Sequence, residues 1–144
     1  MPAPDLAYDP ASKDLVFTPD TKDLALNCPG CTECPADCDT CPSTLTAVVA
    51  GITGGLFCDG IDGTYVLTKT GCSWDYSAGY KTISLTCSVV GGVPVWLFTF
   101  DYLAYAGCSA TVDMDADCLC PLAGTYVATG TLNCTGDSGT VAIS

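Results

Sequence analysis

Five cysteines crowd one short stretch, Cys28-Pro-Gly-Cys31-Thr-Glu-Cys34-Pro-Ala-Asp-Cys38-Asp-Thr-Cys41. As thiolates, Cys28, Cys31, Cys34 and Cys38 have the C-x2-C-x2-C-x3-C spacing that can wrap an iron-sulfur cluster, or a zinc ion with sulfur-only coordination. Oxidised, the same residues would clasp the segment with disulfides. Glu33, Asp37 and Asp39 add negative charge to a site that four thiolates would already make anionic. The proline that should follow the fourth ligand of a cluster run stands after Cys41 instead, and the run has no second copy. With 12 cysteines in 144 residues, the chain has the density and even count of a disulfide scaffold. A disulfide clasp is the expectation, with iron-sulfur and zinc as alternatives. Because five is odd, at least one cysteine of this knot must pair with the rest of the chain, pair with another chain, or stay free.

Three other groupings could carry chemistry. Asp113, Asp115 and Asp117 alternate like the start of a calcium loop, but Cys118 and Gly124 stand where the loop needs glycine and glutamate. A weak calcium site competes there with a solvated acidic loop, and the loop is the expectation. Asp59 and Asp62 form a carboxylate pair with no recognisable catalytic partner. Trp74, Tyr76, Tyr80, Trp96, Tyr102 and Tyr105 could offer faces for stacking on a cell-surface glycan, although a β core also consumes aromatics. Trp74 and Trp96 are expected in that core, and Tyr102 and Tyr105 at the surface. The chain has no histidine, which removes the usual general base and the Ser-His and Cys-His nucleophile pairs. Four lysines against 16 acidic residues give a net charge of -12, so nucleic-acid binding is not expected. No apolar run is long enough for a membrane helix, so no membrane insertion is expected. No enzyme is expected.

The elements that must position these groups divide the chain in three. Residues 1–27 form an arm with a nine-residue repeat, Asp5-Leu6-Ala7-Tyr8, Asp14-Leu15-Val16-Phe17 and Asp23-Leu24-Ala25-Leu26. Each copy reads as a short strand next to a proline-bearing turn. Strands of that length cannot bury a core of their own, so Leu6, Tyr8, Leu15, Phe17, Leu24 and Leu26 are expected to join copies of the chain into a homo-oligomer. Residues 28–42 are the knot, and 43–144 the body. In the body, β-branched runs at 44–52, 64–70, 81–90, 93–100, 125–131 and 139–143 are separated by Gly, Asp and Asn turns. That pattern predicts an all-β fold, a disulfide-stabilised antiparallel β-sandwich or barrel.

Within the body, residues 63–68 (Gly-Thr-Tyr-Val-Leu-Thr) nearly repeat at 124–129 (Gly-Thr-Tyr-Val-Ala-Thr). Cys58 and Cys72 frame the first copy at the separation at which Cys120 and Cys134 frame the second. The symmetry suggests bridges Cys58 to Cys72 and Cys120 to Cys134. Cys87 with Cys108 would then leave Cys118 for the odd cysteine of the knot.

The disulfide chemistry requires an oxidising location, yet Met-Pro-Ala-Pro-Asp is not a secretory leader. A trimmed extracellular protein, or one made in a cell and oxidised after lysis, would reconcile the two, and a retained Met1 favours the second. Residues 63–68, followed by Cys72-Ser73-Trp74 and an alternating strand into Cys87, resemble a domain of cysteine-rich structural proteins of tailed bacteriophages and of some aquatic bacteria. The repeat at 10–17 is similar to short repeats that open such proteins. The resemblance implies a self-assembling virion component, a tail, fibre or capsid-surface protein among other virion subunits. The alternative is a subunit of an extracellular bacterial fibre or an adhesive module at the cell surface.

Overall fold

The structure is a computed structural model, and it describes residues 6–9, 14–17, 31–53, 60–102 and 105–144. The chain divides into two compact units, Met1–Gly30 and Cys31–Ser144. In the first, β1 (Leu6–Asp9) and β2 (Asp14–Phe17) pair antiparallel, with Leu6 opposite Phe17 and Tyr8 opposite Leu15. The first two repeats are thus strands, as expected, and they pair with each other. The third repeat, with Leu24 and Leu26, lies outside the described residues.

The second unit is a closed eight-stranded antiparallel barrel. Its strands are β3 (Thr44–Thr53), β4 (Gly63–Thr70), β5 (Ser73–Ala78), β6 (Lys81–Val90), β7 (Val93–Tyr102), β8 (Tyr105–Val112), β9 (Gly124–Gly130) and β10 (Ser138–Ile143). Each strand pairs with its neighbours in sequence, and β10 closes the ring on β3. The all-β, disulfide-stabilised fold read from the sequence is therefore present, and of sandwich or barrel it is the barrel.

Alternation along each strand explains the closure. Leu45, Ala47 and Val49 on β3, Ile83 and Leu85 on β6, and Trp96, Phe98 and Phe100 on β7 are buried, while the residues between them face outward. Small inward residues, Ala110 on β8 and Ala128 on β9, make room for this large set, as the interior of a narrow barrel requires. Trp74 and Trp96 meet edge to face at 5.2 Å inside it.

Two strands, β5 and β8, do not stand out in the sequence. On β5, Trp74 points in between polar neighbours over only six residues. On β8, Ala106 and Gly107 weaken the strand pattern. The glycine serves packing: a side chain there would come within 3.2 Å of the Phe100 ring and of its carbonyl oxygen.

The repeated Gly-Thr-Tyr segments build the same local device on β4 and β9. Tyr65 Oη donates to Ile61 O at 2.7 Å, and Tyr126 Oη donates to Leu122 O at 2.6 Å. In both, the ring folds back over the glycine two residues earlier, where an added Cβ would lie 3.2 Å from the phenol oxygen. Each tyrosine thus ties the start of its strand to the preceding loop. The Tyr65 bond is buried and the Tyr126 bond exposed. Tyr65→Phe is expected to cost about 1–2 kcal/mol, since it strands a buried carbonyl, and Tyr126→Phe less than about 1 kcal/mol. Urea denaturation of the two variants checks the order.

Candidate functional site: the cysteine strap

Residues 31–43 form a strap over one end of the barrel, the end where β3 begins. Cys31 bonds to Cys118, Cys34 to Cys87, Cys38 to Cys72 and Cys41 to Cys120, with Cα atoms 6.2, 5.7, 5.3 and 5.5 Å apart. The four partners lie in the β4–β5 turn, near the end of β6, and in the β8–β9 connection. Cys38 and Cys41 are buried against the core. Polar contacts complete the seat. Lys69 Nζ donates to Cys38 O at 2.8 Å and Cys41 O at 3.1 Å, and Trp74 Nε1 donates to Pro42 O at 2.8 Å. Strap carbonyls that would otherwise be stranded at a covered barrel end are thereby satisfied.

This pairing corrects the one suggested by spacing. Every described cysteine of the knot reaches into the body, more than the one that an odd count requires. The expected link from the knot to Cys118 is present, made by Cys31. Cys120 does not pair with Cys134, which is itself in a disulfide. The reason is geometric: those two cysteines frame β9, which crosses the barrel from end to end. Seven strand residues at ~3.4 Å each separate its ends by roughly 24 Å, far beyond the reach of a disulfide. Equal framing of the two tyrosine segments therefore does not imply equivalent bridges. Cys72 is taken by Cys38, and Cys58 lies outside the described residues. Cys87 sits opposite Trp96 and Cys108 opposite Phe100, at different heights in the barrel, so they do not meet. Cys108, expected in a bridge, is a buried free thiol.

The metal alternative also fails on bonding. Cys31, Cys34 and Cys38 are each committed to a different partner, which leaves no thiolate set, and Cys28 lies outside the described residues. Among the described residues no cluster of three ligating side chains could hold a metal ion. The calcium alternative at Asp113, Asp115 and Asp117 is corrected for the same reason. Met114 bridges Pro121, and the chain turns through Asp115 to Cys118, whose φ is 58°. Asp115 Oδ1 accepts Leu119 N–H at 3.1 Å. Alternation holds only in an extended segment, and here the chain folds back on itself.

The remaining candidates disperse. Trp74 and Trp96 are in the core, as expected. Tyr76 packs edge to face on Tyr65 at 5.2 Å, Tyr80 is 72% exposed in the β5–β6 turn, and Tyr102 is half-buried. The side chain of Tyr105 and all of Asp59 lie outside the described residues. Asp62 accepts Gly51 N–H and Ile52 N–H, each at 3.1 Å, and so works as a cap on β3.

Toward the other end of the barrel, burial and then the charge of Asp62 push the Cys108 thiol up to about 11. Burial, with Tyr76, Asp62 and Cys108 adding to it, raises the Tyr65 phenol as well. Both groups keep their protons longer in the folded chain than in the unfolded one. The Cys108 contribution to stability is full below the ordinary thiol range, near 9, and is lost as pH rises through about 11. Denaturation midpoints are expected to fall over that window, and Cys108→Ala to flatten the fall. An unchanged slope in the variant would count against this assignment.

Comparison with family models, with characterised protein sequences and with solved structures finds no match to this chain. Fold and strap together define a class, a disulfide-strapped up-and-down β-barrel preceded by a small β-hairpin unit.

Proposed function

We propose that the chain is a structural module of an extracellular assembly, a fibre subunit or adhesive unit whose barrel is mechanically locked and whose N-terminal unit joins it to its neighbours. The observation that carries this reading is the strap: four disulfides in eleven consecutive positions, each to a different point on a barrel filled with side chains. Cross-links at this density belong to oxidising surroundings, and they reinforce a scaffold instead of shaping a cleft. Among the described residues no helix is long and apolar enough to cross a membrane. The N-terminal unit supports the joining role through its repeat and its hairpin, since two strands alone are marginal in water. A virion tail or surface component is the second reading, and it draws on the sequence resemblance at 63–74. Negative-stain microscopy of the oxidised full chain over a range of concentrations tests both. Fibres or regular clusters are expected, and their loss on Leu15→Asp with Phe17→Asp. A monomer at every concentration would overturn the assembly role.

A further inference from the structure

Register places a continuous uncharged wall on the outside of β9, β10, β3 and β4. One row across it reads Thr125, Ala142, Val48, Thr64, each residue opposite the next. On one side of that row Val127 stands opposite Thr140, and on the other Val66 stands opposite Thr46. Val66 and Val127 are 56% and 69% exposed. The chain is acidic overall, but among the described residues of the barrel unit the charges lie elsewhere: on the strap, in the β8–β9 connection, at Asp62, Lys81, Asp101 and Asp137 near the opposite end, and at Asp75 on β5. Lys69, on β4, turns its ammonium group to the strap carbonyls.

Depletion of charge with apolar residues at the centre is the compositional mark of an interface core. On a chain this acidic, such a wall is also where a second copy meets least repulsion. The wall is palindromic, because the two Gly-Thr-Tyr segments flank β3 and β10. A half-turn about the middle of the row carries Thr64 onto Thr125 and Val66 onto Val127. In a two-fold contact the same patch serves both partners, so each substitution on the wall enters the contact twice.

We infer that this wall is a self-association surface, occupied by the same wall of a second copy. It extends the proposed assembly role to a contact that does not involve the N-terminal unit. The eight wall residues are about a third of the 20–30 residues a side of a standard interface, so the contact is weak alone and becomes effective when chains are already held together.

Sedimentation equilibrium of the oxidised full chain tests it, from micromolar to millimolar protein. Wild type is expected to self-associate, more strongly as salt screens the acidic chains. Val66→Lys with Val127→Lys should weaken association by at least about tenfold, through desolvated like charges brought face to face. Thr86→Lys, on the opposite wall, should behave as wild type, and melting curves confirm that all three are folded. Association that is equal in wild type and the double variant would assign it to another surface and overturn the inference. A wild-type monomer at millimolar concentration would do the same. Fibres that persist in the double variant would leave the assembly role standing while removing this contact from it.

Discussion

Treated with a thiol reductant, the barrel is expected to lose its cooperative fold at temperatures where the oxidised protein is intact. The strap disulfides close loops of 87, 53, 34 and 79 residues. Restricting an unfolded chain by a loop of that size is worth roughly 4 kcal/mol, although overlapping loops do not add in full. A domain of this size has a net stability of about 5–15 kcal/mol, so losing all four is of the same order as the whole. Removing one pair, Cys34→Ser with Cys87→Ser, should lower the melting temperature by ~10–20 °C. Cys108→Ala should leave the response to reductant unchanged, since that thiol bonds to no partner. Calorimetry with and without reductant decides the matter. A reduced barrel melting within a few degrees of the oxidised one would mean that the core alone carries the fold.

The second large effect is mechanical. When the chain is pulled by its two ends, force entering at Cys31 passes through the disulfide to Cys118 before it can peel β3 from its neighbours. The oxidised barrel can then release no more than the segment beyond Cys118. Reduction frees the 87-residue loop as well, a gain in contour length of roughly 300 Å at ~3.6 Å per residue. Single-molecule extension in the two redox states reads this difference directly. Equal lengths would show that the strap does not bear the load, and would remove the main support for the proposed role.

Alternation made most of this barrel legible beforehand. The runs that became β3, β4, β6, β7, β9 and β10 are rich in β-branched residues and bounded by Gly, Asp or Asn turns, with clean alternation in β6 and apolar residues at nearly every position of β7. What escaped was local strength: β5 has one fully buried side chain, Trp74, and β8 has Gly107 at a contact with Phe100. The disulfide map was not legible, for a different reason. Separation along the chain does not reveal which end of a barrel a residue reaches, and strands such as β9 carry their flanking cysteines to opposite ends. Only the register distinguishes neighbours in sequence from neighbours in space. The repeated Gly-Thr-Tyr segment was visible, but its meaning, a phenol tied back four residues over a glycine, depended on the loop conformation.

Closure of the ring has a further consequence for how copies of this chain can be combined. A closed barrel has no spare hydrogen-bonding strand, so its valence for sheet extension is zero. Among the described residues the N-terminal hairpin is a two-stranded sheet that does not close on itself. Copies can therefore meet through the barrel only by side-chain contact, and growth by strand addition cannot start from it however many barrels are brought together.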